Sequence, residues 1–402
     1  MKYIVILGDG WADYPDENGQ TPLSLANKPN TDAIARMSVC GLTKTVPDGM
    51  KPGSDVANMA VMGYDPAEYY TGRSPLEAAS MGIELGPDDV TYRCNLVSLE
   101  GDGAYETLTM KDYSSGEIDT PSAAALIEEL KRTPGIVPEG CELHAGVSYR
   151  HCLVRRGGKT GALLTPPHDI TGRPIASYLP GGNYADEILS FQKRSREALV
   201  KSRINAERAD KGMNTADSCW LWGEGTRPSF AAFEKLYGLK GAVISAVDLV
   251  KGLGIVAGMD SIDVEGACGT INTNFAGKAA AALDAIRTHD FVYVHMEAPD
   301  ECGHQGDKAG KIRSIELIDS LVVGPVFEEM TRRGERFKLL ITPDHPTPLS
   351  VRTHVSDPVP FVMYDSGAHV HGIETYNEGL VRTTRVYYPS GVAMFEAFVN
   401  AK

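Results

Sequence analysis

Paired cysteines are missing from this chain: the seven present, Cys40, Cys94, Cys141, Cys152, Cys219, Cys268 and Cys302, are scattered, odd in number and never in a CxxC spacing. Neither a disulfide framework nor a thiolate zinc site is therefore expected, and a reducing cytoplasm is the expected compartment. Long apolar runs are missing as well. The opening Tyr3-Ile4-Val5-Ile6-Leu7 is too short for a secretory core and runs into Gly8-Asp9-Gly10, and no other run approaches a membrane span, so no membrane partner is expected. Positive charge is in deficit, with 39 Lys and Arg against 53 Asp and Glu and a formal net charge of -14. Such a surface repels polyanions, which argues against nucleic acid as a partner. A small phosphorylated substrate stays compatible if Arg, Lys, metal or helix N-termini reverse the field in one cleft. There is no GxxxxGK[ST] loop, internal repeat or low-complexity tract, which removes Walker-type nucleotide binding.

What is present reads as a globular α/β chain. Its 402 residues, 42% hydrophobic and 23% charged, can bury a large core and suffice for two domains. Tyr3 to Leu7 has the look of a buried parallel strand, and Asp9 stands just past its end, where open α/β sheets bind ligands. Pro22 to Val39 reads as a loop and then a helix capped by Asn30 or Thr31. In Lys51-Pro52-Gly53-Ser54-Asp55 one hydroxyl precedes an apolar helical run that stops at Gly63-Tyr64-Asp65-Pro66. Ser54 is either an ordinary helix cap or a nucleophile at a helix N-terminus that favours anions.

From about Pro87 the texture changes to alternating patterns, Val90 to Leu99 and Cys141 to Val154, around a helical run from Ser122 to Lys131. This predicts an inserted α+β domain over 87–211, with the core formed by 1–86 and 212–402. A long amphipathic helix is expected from Ala185 towards Arg208. Polar residues able to hold a phosphate or carboxylate cluster in this part: Arg93, Arg150, His151, His168 and Asp169, with Arg73 from the turn Thr71-Gly72-Arg73-Ser74-Pro75.

Two further strand patterns end in chemistry-bearing loops. Phe291 to Met296 leads to Glu297-Ala298-Pro299-Asp300-Glu301-Cys302-Gly303-His304, and Phe337 to Thr342 leads to Pro343-Asp344-His345; His354 follows in the next loop. If these strands are parallel neighbours of Tyr3–Leu7, Asp9, Asp300 and Asp344 meet at one sheet edge. Gathered carboxylates repel and raise one another's pKa unless a divalent cation compensates them, and Asp with neutral His suits manganese or zinc, whereas magnesium prefers oxygen and water. Cys302 is a soft ligand by position only. His369 and His371 alternate on an expected strand and His289 precedes one; surface or core roles are expected for these.

Taken in order, Asp9, Ser54, Asp300-xxx-His304, Asp344-His345 and His354 resemble the metal-site signature of the alkaline phosphatase superfamily. Within it the chain resembles the cofactor-independent, that is 2,3-bisphosphoglycerate-independent, phosphoglycerate mutases of the smaller archaeal type. The likeness runs through Pro52-Gly53-Ser54-Asp55, Pro167-His168-Asp169-Ile170-Thr171-Gly172 and Trp220-Leu221-Trp222-Gly223. It implies an alkaline-phosphatase-like α/β core with a mostly parallel central sheet flanked by helices, plus the smaller α+β insertion as lid. It implies two divalent metals, manganese first with zinc, cobalt or magnesium as alternatives, and no 2,3-bisphosphoglycerate. Asp300, His304 and His354 would hold one metal; Asp9, Asp344 and His345 would hold the other with Ser54, the implied nucleophile of a phosphoserine intermediate. The implied reaction interconverts 3-phosphoglycerate and 2-phosphoglycerate, so the partner is a small phosphorylated hydroxy acid; a homo-oligomer is compatible. Homoserine kinase-like transfer and phosphomonoester hydrolysis are rival uses of the same site, and an inactive metal-binding protein is the reading furthest from these residues.

Overall fold

Ile4, Val5, Ile6 and Leu7 are wholly buried, as a strand covered on both faces requires. Their strand, Lys2–Gly8, lies between Phe291–Met296 and Phe337–Thr342 and is parallel to both. The computed structural model describes residues 1–400, and in it these three are the centre of an eight-stranded sheet. The strand order is Asp260–Ile262, Gly241–Ile244, Phe291–Met296, Lys2–Gly8, Phe337–Thr342, Val359–Asp365, Val39–Thr43 and Tyr387–Tyr388. Val359–Asp365 alone runs antiparallel to its neighbours. The expected mostly parallel α/β sheet is thus observed.

Helices cover it. Ile34, Ala279, Ala282, Ile315, Ile318, Val326 and Met330 pack against Ile4, Ile6, Val292, Val294, Leu339 and Ile341 on one face. The helix Ser54–Val61 packs with Asp248–Val256 and Gly391–Asn400 in the same unit. Asn30 and Thr31 do not cap the early helix. Lys28 holds that position before Pro29–Ala35, and the two side chains instead donate to buried Asp319, Thr31 Oγ1 at 2.7 Å and Asn30 Nδ2 at 2.9 Å. No helix among the described residues is long and apolar enough to cross a membrane.

Contacts divide the chain into two units, 1–70 with 229–402, and 71–228. The second is wider than the expected 87–211 because neighbouring segments belong to its sheet. Ala78 of helix Ser74–Ser80 packs on Cys152 and Val154, and strand Ser218–Thr226 pairs antiparallel with Val90–Glu100. Thr109–Asp112, Arg150–Arg155 and Cys141–His144 complete that five-stranded sheet. One of its faces, carrying Tyr92, Cys94, Leu96, Leu153 and Leu221, is buried under residues of the helices Thr120–Arg132 and Ala185–Leu199. The expected Cys141–Val154 run is two strands, joined through Ser148 at φ 55°. The long helix also breaks: Ala185–Leu199 ends and Ser202 caps Arg203–Asp210 by accepting from Ile204 N–H. His369 and His371 lie in irregular chain rather than on a strand.

Candidate metal centre

Parallel strands put their C-terminal ends at one edge, and that edge carries the expected ligands. Asp9 leaves its strand with its N–H bonded to Met296 O at 2.9 Å. Asp344 follows Phe337–Thr342, while Asp300 and His304 sit one turn apart on the helix Ala298–Gln305. Two groups form, Asp300 with His304 and His354, and Asp9 with Asp344 and His345; within each, one ligand atom per residue lies within 4.8 Å of the others. In the first, His304 Nε2 is 3.2 Å and His354 Nε2 3.5 Å from the Asp300 carboxylate, and the two ring nitrogens are 3.0 Å apart. Two imidazole nitrogens approach so closely only with a proton or a cation between them. In the second, His345 Nε2 is 3.2 Å from Asp344 Oδ2 and 3.5 Å from Asp9 Oδ1. Asp9 Oδ1 is buried and receives no hydrogen bond, an orphaned oxygen that suits a cation. Cys302 belongs to neither group; burial pushes its thiol up to about 11.

Gly10 fits the turn between the groups. Its φ of +60° is left-handed, and a Cβ there would come within 2.5 Å of both Asp300 Oδ1 and Thr347 Oγ1. Its N–H donates to Asp344 Oδ1 at 3.1 Å.

Ser54 is not a cap. Gly53 holds that position without a side-chain bond, and Ser54 opens the helix with Oγ 3.2 Å from His345 Nε2. A Cβ on Gly53 would lie 2.7 Å from Asp55 Oδ1, so the glycine makes room for the Asp55 carboxylate, which accepts from its neighbour Val56 N–H and from Tyr70 OH.

The electrostatics fit divalent cations. Burial, then Asp344 and Asp300, raises the Asp9 carboxyl well above its usual range, and burial followed by Asp300 pushes Asp344 up to about 6. Burial would raise Asp300 too, but His304 and His354 outweigh it and hold it well below that range. His345 is pushed down to about 3 by burial, then by His354, and so offers a lone pair at neutral pH. His304 goes the other way, to about 9, because Asp300 overcomes its burial.

A buried scaffold holds these groups, and the sequence offered little sign of it. Asn58 Nδ2 donates to Asp344 Oδ2 at 2.8 Å and Tyr293 OH donates to Asn58 Oδ1 at 2.6 Å. Thr347 OH donates to Asp300 Oδ1. Lys311, fully buried, donates to Thr347 O and to Asp13 Oδ2, each at 2.8 Å. On an amphipathic helix pattern Lys311 reads as a surface residue. Lys311→Met is expected to cost about 3–5 kcal/mol, since Asp13 would keep its charge in the interior without its cation; urea unfolding measures it, and a loss under 1 kcal/mol would show that the pair carries little.

In the 71–228 unit the residues expected to bind substrate separate. Arg93, Asn95 and Arg150 share a sheet face with Trp222, through the pairs Asn95–Arg150 and Arg93–Trp222. Arg93 lies over the Trp222 ring at 4.2 Å, and it and Arg73 pair with Glu77 at 2.7 and 3.1 Å. Burial lowers Arg93 to about 10; Glu77 opposes this, and the nearby Arg73 and Arg150 charges add to it. The His168 ring meets Trp222 at 5.1 Å and Tyr113 at 6.1 Å, with exposed Asp169 beside it at 3.6 Å. Two guanidinium groups thus share one glutamate, and Arg150, 5.3 Å over the Tyr149 ring, adds its charge near Arg93. His151 is elsewhere. It pairs with Cys94 on the opposite, core-facing side, accepts from Gly146 N–H at 3.0 Å, and is lowered to about 3 by burial. It is a core histidine because the helices cover its side of the sheet. Asn95 joins the cluster from the same Tyr92-Arg93-Cys94-Asn95 stretch as Arg93, whereas Trp222, Tyr113 and Glu77 join it without having been singled out as site residues; the Trp220-Leu221-Trp222 run was the signal for Trp222.

Residues 35–205 match the family described as 2,3-bisphosphoglycerate-independent phosphoglycerate mutase. A protein of that name from Methanothrix thermoacetophila is 51% identical over 380 residues, 94% of each chain, and one from Methanosarcina barkeri is 48% identical over 369 residues, 90% of each. Among solved structures, a protein from Pyrococcus horikoshii aligns with TM-score 0.81 and 27% identity, covering 100% of this chain and 98% of that one. The cofactor-independent phosphoglycerate mutase from Thermoplasma acidophilum aligns over 100% of both chains with TM-score 0.65 and 24% identity, a likeness of fold.

Proposed function

Because the chain belongs to the 2,3-bisphosphoglycerate-independent phosphoglycerate mutase family, we propose that it interconverts 3-phosphoglycerate and 2-phosphoglycerate by lodging the phosphoryl group on Ser54. It is an isomerase. The observation that carries the assignment to Ser54 is its hydroxyl's place, 3.2 Å from His345 in the Asp9–Asp344–His345 group. Asp300, His304 and His354 would hold one divalent cation, and Asp9, Asp344 and His345, joined by Ser54, a second; manganese suits these mixed oxygen and nitrogen donors best, ahead of zinc, cobalt or magnesium. Cations bound there offset the gathered carboxylate charge and make a hydroxyl nucleophilic near neutral pH.

Ser54 Oγ forms a bond to phosphorus as the bond from phosphorus to the substrate oxygen breaks; the electron pair stays on that oxygen, which takes up a proton, and the seryl proton leaves. The neighbouring glycerate hydroxyl then takes the group back and Ser54 recovers its proton. No bisphosphoglycerate enters, since the group lent to Ser54 comes from the substrate. We assign substrate recognition to the 71–228 unit, with Arg73, Arg93, Arg150 and His168 as anion-holding groups, Asp169 beside them, and exclusion of water as its second task.

Metal-loaded protein given 3-phosphoglycerate is expected to yield 2-phosphoglycerate without added bisphosphoglycerate, followed in parallel with free phosphate and with ATP-dependent phosphorylation of homoserine. Homoserine phosphorylation with no 2-phosphoglycerate would overturn the reading, and so would free phosphate as the sole product. Arg150→Ala should raise KM for 3-phosphoglycerate roughly 10- to 100-fold, the worth of a hydrogen bond to a charged group, with metal content unchanged. An unaltered KM would remove Arg150 from substrate binding.

A further inference from the structure

Behind Asp9 stands a short directional chain of hydrogen bonds. Val247 N–H donates to Ser245 Oγ at 3.0 Å, which leaves the seryl hydrogen for His295 Nδ1 at 3.1 Å. The ring hydrogen of neutral His295 then lies on Nε2 and is donated to Asp9 Oδ2 at 2.8 Å. An ionised Asp9 carboxylate can only accept, so the direction is set from that end: the Nε2 hydrogen goes to Oδ2 and Nδ1 is left to take the seryl hydrogen. Ser245, His295 and Asp9 are all buried.

Asp9, His295 and Glu297 also have metal-ligand spacing, with Glu297 Oε2 at 3.9 Å from His295 Nε2. Two features speak against a cation among these three. His295 Nε2 carries a hydrogen and offers no lone pair. Lys278, fully buried and donating to His295 O at 3.0 Å, already places an ammonium in the field of Glu297.

We propose that Ser245 and His295 are positioning residues for Asp9: they engage Oδ2 and leave Oδ1 turned towards His345, so they set the affinity of the Asp9–Asp344–His345 cation site, and no third cation is held by Asp9, His295 and Glu297. This rests on reading that group as a cation site. Partners of this kind around a metal ligand typically change affinity 10- to 100-fold when removed.

Chelator-stripped full-length protein titrated with Mn(II), with free ion followed by electron paramagnetic resonance, tests it. Wild type is expected to bind two ions. His295→Phe should weaken one of them 10- to 100-fold and leave the other unchanged, Ser245→Ala should weaken the same one less, and His295→Gln, whose Nε2 amide can still donate to Asp9, should restore most of the loss. In a His304→Ala background, where the Asp9 group is the intact one, the remaining ion should be the one that His295→Phe weakens. Equal weakening of both ions, unaltered binding in both His295→Phe and Ser245→Ala, or a third tight ion in wild type lost with His295→Phe would each overturn the inference. Should His295→Phe not fold, Ser245→Ala decides: an unchanged affinity overturns it. Wild type that takes up no Mn(II) would overturn the metal reading itself, whereas two ions indifferent to these variants overturn only the positioning role.

Discussion

Ser54→Ala is expected to lower kcat by about 10⁴-fold or more and to abolish acid-stable labelling of the protein by radiolabelled 3-phosphoglycerate. Loss of a nucleophile is not made good by the nearby Thr347 hydroxyl, which is committed to Asp300 Oδ1. The fold should hardly notice. Ser54 caps nothing, Gly53 precedes it, and Asp55 supplies the first-turn carboxylate, so the change should fall among substitutions costing under about 1 kcal/mol. Most of the metal should stay bound, since Asp9, Asp344 and His345 remain. Quenched-flow labelling, steady-state kinetics and metal content measured on one preparation separate these effects. Turnover at the wild-type rate would remove Ser54 from the chemistry.

Metal removal is the second large effect. Chelation should abolish turnover, Mn(II) should restore it, and the rise in Tm on adding Mn(II) should itself grow as pH increases from 5 to 8. The sign is set by what each ligand carries without a cation. Asp344, raised to about 6 by burial and then Asp300, and Asp9, raised for the same kinds of reason, are protonated in the metal-free fold at acid pH. A carboxyl raised in this way contributes stability below its unfolded pKa, near 4, and that contribution is lost as pH rises through the folded value. His304, raised to about 9, loses its contribution in the same direction at higher pH. A cation takes the place of these protons, so each one displaced strengthens binding about tenfold per pH unit across its window. His345 and His295, both pushed down to about 3 chiefly by burial, act oppositely on stability, being fully favourable above about 6.5 and losing ground as pH falls. They are neutral with or without metal above pH 5, so they cancel in the difference. A Tm increment indifferent to pH between 5 and 8 would refute the assignment of these ligands.

The two carboxylate–histidine groups could be read from the sequence because parallel strands are continuous apolar runs, and the residues just past the end of such a run must emerge at one edge. Asp9, Asp344 and the Asp300–His304 turn obey that rule. His151 shows where it fails: alternation on a strand says that two faces differ, but which face is core depends on the helices at 120–132 and 185–199 that cover it. The wider second unit was hidden for a related reason, since Ser74–Ser80 and Ser218–Thr226 join it through pairing and packing that leave no mark at the expected boundaries. Lys311, Asn58, Tyr293 and His295 escaped notice because each looks ordinary on its own element; their importance comes from partners hundreds of positions away. Ser202 was readable as a helix start, yet the amphipathic period runs through it, and the break it hides is short.

Gly10 and Asp344, joined by a hydrogen bond, are separated by 334 positions. The Asp9 edge is therefore finished only when nearly the whole chain has been made and the central strands have paired, a non-local closure that is slow by nature. No early fragment contains the donor set, so a cation cannot guide the first steps of folding as it does in small metal-templated domains. A cation held by these residues would arrive at a finished edge and act as a latch, slowing the escape from the native state far more than it hastened arrival there.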